Sequence, residues 1–430
     1  MRRRMPPSSA NAQPPGSVSI AGLESLADEL DDRLAGADRA LREGYPGERA
    51  GRQPVHTVYV PADRYSEGLV PQWGTAALAS LDADPEGFRA VLGQGEDGLL
   101  ERVRAKLASE PIEDLRIDFE DGYGDRPDGE EDEAARSAAR YLAASLVRDE
   151  AAPFNGIRFK SFEAPTRRRG LRTLALFLEE LAGAGPLPEG FVVTLPKVTS
   201  VEQVEAMVVA ASRLEETLGL GPGALRFEIQ VETPQAILGP DGTALVARMV
   251  HAAAARCTGL HYGTYDYSAS CGIAAQFQSM EHPVADYAKA VMQVAAAGTG
   301  VRLSDGSTNV LPVGGPEAVR AGWALHHRLV RRSLERGYYQ GWDLHPAHLP
   351  TRYAAVFAFY RDGLPQAADR LRRYVERADS GFLDEPATAR ALADFILRGV
   401  DCGAVGVAEA HGRSGVDAAG LAVLARRVAG

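Results

Sequence analysis

Glu232, in the stretch RFEIQVETPQ, and Asp266, in GLHYGTYDYSASCG, each stand just past a short apolar run that reads as a buried strand. Phe227–Val231 breaks at Glu232-Thr233-Pro234, Gly259–Gly263 ends shortly before Asp266, and residues 236–257 between them have helical content. The order strand, carboxylate, helix, strand, carboxylate belongs to a parallel sheet. There the two acids reach the C-terminal ends of neighbouring strands, where open α/β and barrel folds keep their chemistry. Converging carboxylates repel unless a proton or a cation lies between them, or unless each pairs with its own Arg or Lys. A hard ion such as Mg2+ (or Mn2+), held by few protein oxygens and completed by substrate and water, is the simplest of these solutions.

Other polar residues fall at the ends of other strand-like runs. Asp118, Glu120 and Asp121 close the second, Arg158 and Lys160 the third, Lys197 the fourth and His345 the eighth, while Tyr262 and Tyr265 flank Asp266. A core strand that spends polar residues only at its exit predicts an active site on the top face. Each residue also has a structural reading: the DFED turn as a surface turn, Arg158 and Lys197 as ion-pair partners, His345 as a cap. His326-His327 reads as solvated or packed, the acidic run 130–133 as a solvated helix N-terminus, and GLGPG at 219–223 as a helix C-cap.

The elements that must position these residues are eight strand-like segments separated by helical stretches: 56–60, 114–119, 156–161, 191–196, 227–231, 259–263, 308–313 and 338–344. Eight strand-then-helix units predict an α/β fold, a (β/α)8 TIM barrel spanning 55–350. Before it lie a Pro/Ser-rich segment, 1–18, expected to be disordered, and a helical extension with a connector, 19–54. Ser200-Val-Glu-Gln203 fits a capping box at one helix start. Helices near 350–361, 364–378 and 386–398 predict a C-terminal extension over 351–430.

Composition narrows the function classes. The 430 residues are 45% hydrophobic and 24% charged with a net charge of −11, which disfavours nucleic acid or an anionic membrane as the main partner. Neither a signal peptide nor a membrane-length apolar run is read, and three cysteines without CxxC spacing indicate no zinc site and a reducing, cytoplasmic setting.

In order along the chain, HTVYVPADR, DFEDGYG, GIRFK, IQVETPQAI, GLHYGTYDYSASCG, GYYQGWDLHPAHL and GFLDEP resemble the superfamily of citrate lyase β-subunits, malyl-CoA and citramalyl-CoA lyases and HpcH/HpaI 2-oxo-acid aldolases. The resemblance implies a TIM barrel of the phosphoenolpyruvate/pyruvate-binding type, with Mg2+ on Glu232 and Asp266 and substrate oxygens on Arg158. It implies a homo-oligomer, a trimer or hexamer, whose C-terminal segment covers a neighbouring subunit's site and brings Asp384 into it. The chemistry expected is carbon–carbon cleavage or formation on a 2-oxo or 3-hydroxy acid, free or as a CoA thioester, through an enolate. Arg158 would stabilise the developing oxyanion, Glu120 and Asp121 would orient metal-bound water and Arg158, and Asp384 (or, less favoured, His345) would carry the proton. Lys197, Tyr262 and His345 are further expected substrate contacts. The sequence departs from the pattern at Lys160, where the lyases carry Asn. Two alternatives stand beside this reading: a malate-synthase-like condensing enzyme or acyl-CoA thioesterase on the same scaffold, and a non-catalytic metabolite-binding barrel.

Overall fold

The computed structural model describes residues 20–93, 98–377, 385–425 and 427–428, so the expected disordered segment 1–18 lies outside it. The chain divides after Pro46 into two units. The first contains helix α1, Ile20–Gly44.

The second unit is built on eight parallel strands: β1 Thr57–Pro61, β2 Asp114–Asp118, β3 Phe154–Arg158, β4 Val192–Leu195, β5 Arg226–Val231, β6 Cys257–Tyr262, β7 Arg302–Ser304 and β8 Trp342–Asp343. Helix α2, Asp128–Val147, connects β2 to β3. Each strand pairs with its predecessor from β2 to β7, β1 pairs with β8, and an isolated parallel bridge between Ser304 and Gln340 joins β7 to the segment just before β8, which closes the ring. The fold is therefore the expected (β/α)8 barrel with helical extensions. Among the described residues, no helix is long and apolar enough to cross a membrane.

Because successive side chains of a strand point to opposite faces, each strand feeds two environments. Val58, Leu115, Ile117, Ile157, Val193, Ile229 and Leu260 are fully buried between sheet and helices, where the apolar core sits. Many of the alternate residues, which face the lumen, are polar. Arg116 there makes a two-pronged pair with Glu228 at 3.0 and 2.9 Å and also bonds Asp114, while His261 meets Glu228 at 2.9 Å and takes the Trp342 indole N–H at 3.1 Å. This corrects the expectation that core strands keep polar residues for their exits. A barrel strand has two buried faces, and a charge on the inner one is tolerated because its partner comes from another strand.

Two glycines show how tightly the strands approach. A Cβ built on Gly156 in β3 would lie 1.6 Å from the carbonyl oxygen of Val192 in β4, and one on Gly263 would lie 2.5 Å from Cβ of Glu232. Gly156→Ala must therefore push two adjacent strands apart. It is expected to lower stability by about 3 kcal/mol or more, read as a fall in the urea midpoint; an unchanged midpoint would contradict so close a pairing of β3 with β4.

Element boundaries differ from the sequence reading in four places. The seventh strand is Arg302–Ser304, and 308–313 is loop with Val310, Leu311 and Val313 exposed. Residues 236–257 are two short helices, Pro234–Ile237 and Leu245–Ala252, separated by a turn in which Gly242 adopts φ of 80°. Ser200 makes no side-chain cap; Gln203 Oε1 instead accepts the Thr199 N–H at 2.7 Å. After the barrel, one 28-residue helix, α3 (Leu349–Glu376), runs through Pro365 where two helices were expected, and α4 (Pro386–Asp401) packs on it. Helix α3 buries residues from Leu349 to Leu371 against the chain's own barrel helices. At 219–223, Gly219 adopts the left-handed C-cap conformation read from the sequence.

Candidate active site at the barrel mouth

The C-terminal ends of β1, β2, β3, β5 and β8 open into a pocket of about 400 Å3 lined by Tyr59, Asp118, Arg158, Gln230, Glu232 and Asp266 among others. Its organising pair is one the sequence only half disclosed. Arg158 Nε and Nη2 each donate to Asp118 at 2.7 Å, and Asp118 also accepts the backbone N–H groups of Glu120 (3.0 Å) and Gly122 (2.9 Å). Asp118 thus locks the guanidinium and shapes the DFED turn together. The remaining nitrogen, Nη1, lies 3.3 Å from Gln230 Oε1 and 3.5 Å from Glu120 Oε2, with the Tyr59 ring 4.8 Å from the guanidinium carbon. Burial opposes the Arg158 charge, yet the carboxylates of Asp118 and Glu120 outweigh it and hold its pKa well above the ordinary value.

The predicted carboxylates come together around Lys197. Its ammonium lies 3.0 Å from Glu120, 2.9 Å from Asp121 and 3.3 Å from Asp266, while its backbone N–H donates to Glu232 Oε1 at 2.7 Å. Lys197 does this from φ of 50°, a left-handed conformation unusual for a side-chain-bearing residue; such strain collects at functional sites. Glu232 is fully buried, takes its second hydrogen bond from Gln230 Nε2, and is pushed up to about 8 by burial and by the neighbouring Glu120 and Asp266, against the pull of Lys197. For Glu120, burial is again the largest cause of a raised pKa. At Asp121 burial is outweighed by the Lys197 hydrogen bond and the Arg158 charge, and the pKa falls.

Five carboxylates (Asp118, Glu120, Asp121, Glu232 and Asp266) thus face two cations. An all-oxygen donor set with surplus negative charge, one member of which is disfavoured as an anion by burial and by its acidic neighbours, fits a hard divalent ion; Glu232 and Asp266 could hold it. Thr264 also lines the pocket, and its buried hydroxyl, packed close to Gly306, has no hydrogen-bond partner among the described residues.

Other expected site residues lie elsewhere. Tyr262 is fully buried on the helix-facing side of β6, with Lys289 Nζ 5.7 Å from its ring centroid, because β6 alternates and His261 takes the lumen. Tyr265 lines the pocket instead. His345 Nδ1 accepts the Ala347 N–H at 3.1 Å as the cap of a short helix and is not among the pocket-lining residues. Lys160 is turned away: its ammonium bonds the carbonyls of Phe119 (2.9 Å) and Gly124 (3.0 Å) and the carboxylate of Glu131 (2.8 Å), bracing the DFED turn from behind. Glu131 is therefore fully buried, and Asp132 holds Arg169 and Arg172, so of the acidic run that opens α2 only Glu130 and Glu133 are solvated. Lys160→Met leaves the Glu131 charge without its ammonium. It is expected to cost about 3–5 kcal/mol by chemical denaturation, and a loss under about 1 kcal/mol would show that Lys160 is not the brace. Of His326-His327, His326 is buried and packed, Nδ1 to Thr351 Oγ1 at 2.7 Å. Asp384 lies outside the described residues. Arg64, at the pocket's exposed rim, was not singled out from sequence, though it sits in the HTVYVPADR segment.

No curated protein matches the chain. Residues 34–428 match the family described as a domain of unknown function, DUF6986. Among solved structures, a citrate lyase from Burkholderia xenovorans LB400 is similar at 19% identity and a TM-score of 0.57, over 85% of this chain and 98% of that one. A Haloferax volcanii malate synthase in complex with magnesium and glyoxylate aligns at 14% identity and 0.49, over 87% and 98%. A citrate lyase β-subunit from M. tuberculosis, complexed with oxaloacetate and magnesium, aligns at 17% and 0.41, over 74% and 99%. At 19% identity the first of these likenesses shows a shared fold.

Proposed function

The chain belongs to the DUF6986 family, and on that premise we propose that it is a divalent-metal-dependent carbon–carbon lyase or aldolase acting on a small 2-oxo or 3-hydroxy acid, free or as its CoA thioester. The observation that carries this reading is the pairing, in one pocket of about 400 Å3, of surplus carboxylates with a guanidinium fixed by its neighbours. A divalent ion on Glu232 and Asp266 would act as Lewis acid toward the carboxylate and keto oxygens of a 2-oxo acid.

The chain's own groups supply the rest. Arg158 is held on two sides by Asp118, so its third nitrogen donates to an oxygen that gains negative charge without first reorganising. Tyr59, packed on Trp342 at 4.6 Å between ring centroids, makes an apolar floor that keeps water off that donor. Lys197 balances Glu120, Asp121 and Asp266 and so keeps the acidic mouth from repelling an anionic substrate. The proton carrier is proposed to be Asp384.

The test is retro-aldol and condensation assays on free 2-oxo and 3-hydroxy acids and on their CoA thioesters, with Mg2+, Mn2+ or EDTA. Cleavage that EDTA abolishes supports the reading. Condensation dependent on acetyl-CoA alone supports the malate-synthase-like alternative. No turnover, together with no calorimetric binding of Mg2+, pyruvate, oxaloacetate or glyoxylate, supports a non-catalytic barrel.

A further inference from the structure

Helix α1 presents an apolar line that the barrel chemistry does not use. Ile20, Leu23, Ala27, Leu30, Leu34, Ala37 and Leu41 recur at alternating spacings of three and four, the heptad pattern of a coiled-coil seam, through just over three heptads. All are exposed, Ile20 at 76%, Leu30 at 47%, Leu34 at 51% and Leu41 at 61%. Both interior glycines, Gly22 and Gly36, fall at heptad positions on the far side from the seam. A helix carrying two such weak formers gains most of its stability from packing an apolar face.

We infer that α1 pairs in parallel with α1 of a second copy of this chain. Flanking charges select both the partner and the direction. With Ile20 at position a, the e positions are Glu24, Asp31 and Asp38 and the g positions are Leu26, Arg33 and Ala40. In a parallel pair, g of one helix meets the following e of the other, which sets Arg33 against the partner copy's residue 38, an aspartate, twice over the two-fold axis. The antiparallel, fully overlapped pair would set e against e, acid facing acid at all three levels, and Arg33 against its own copy. Within one helix Arg33 also reaches Glu29 at 3.0 Å, with both side chains largely solvated, so this bond is weak competition. Ala27 and Ala37 in the seam let the two backbones come close. The consequence for assembly is that copies are joined by a segment outside the barrel unit, independently of any contact the barrels make.

Cysteine cross-linking of the full chain tests it. The native thiols are Cys257 and Cys402, both buried, and Cys271, half-buried, so a Cys271→Ser background removes the accessible one. Leu23→Cys in that background is expected to give, under mild oxidation, a band at twice the chain's mass on a non-reducing gel. Asp32→Cys, on the outer face of the same helix, is expected to give at least tenfold less. Adding Leu30→Asp to Leu23→Cys is expected to remove the cross-link without changing the circular dichroism of the barrel. Equal cross-linking at 23 and 32, no cross-link at 23, or a cross-link that survives Leu30→Asp would each overturn the pairing. An antiparallel pair would be revealed if Leu23→Cys cross-links only when mixed with Leu41→Cys, which also overturns it.

Discussion

Asp266→Ala is expected to leave the protein as stable as before and to remove its divalent-dependent turnover. The two halves of that outcome have separate causes. The Asp266 side chain is 48% exposed, and its ion pair, with Lys197, is at 3.3 Å. Exposed changes away from special features usually move stability by less than about 0.5 kcal/mol, and alanine suits the short helix Thr264–Ser270 that carries the residue. Turnover should fall by more than about 100-fold, since even residues that merely orient a metal's ligands cost about 10–100-fold when lost. Thermal melts and steady-state rates over a range of Mg2+ concentrations separate the two. A variant with wild-type rates would remove Asp266 from the mechanism.

Arg158 behaves in the opposite way, because structure and chemistry run through the same guanidinium. Arg158→Ala strands buried Asp118 without its cation, leaves buried Glu120 with Lys197 alone, and is expected to cost about 3–5 kcal/mol besides abolishing turnover. Arg158→Lys keeps a charge near Asp118, which retains two backbone N–H bonds, so most stability should return. Lysine cannot hold Asp118 with two nitrogens and point a third into the pocket. Its rate should therefore stay down by about 100-fold or more, with kcat affected more than KM. Pairing Arg158→Ala with Asp118→Asn should recover part of the lost stability and none of the activity, as expected of coupled partners. Equal rates for Arg158→Lys and wild type would make Arg158 an ion-pair residue only.

Much of the fold was legible because strands β1 to β6 carry uninterrupted or alternating apolar runs, each closed by a turn signal. The seventh was not. Arg302–Ser304 is three residues long with one large apolar side chain, whereas TNVLPV at 308–313 has strand composition but contains Pro312 and exposes Val310, Leu311 and Val313. Within the site, residues at strand exits could be found by position. Their division into pocket and brace could not, because it depends on pairings far apart in sequence: Lys160 is drawn away by Glu131, while Arg158 is held in the pocket by Asp118. The inner-face charges Arg116, Glu228 and His261 have the same origin. Tyr262 and Tyr265 show the finer limit, since a difference of three residues across the end of β6 decides between the helix layer and the pocket.

Whether Glu232 and Asp266 share one divalent ion at the mouth of the barrel decides the proposed chemistry, and crystals soaked with Mn2+ and oxalate would answer it. The expected map has a single anomalous peak within coordination distance of both carboxylates, oxalate bound against Arg158, and the Lys197 ammonium moved off Asp266. A map with no peak there, and Lys197 still bridging Glu120, Asp121 and Asp266, would refute the shared ion.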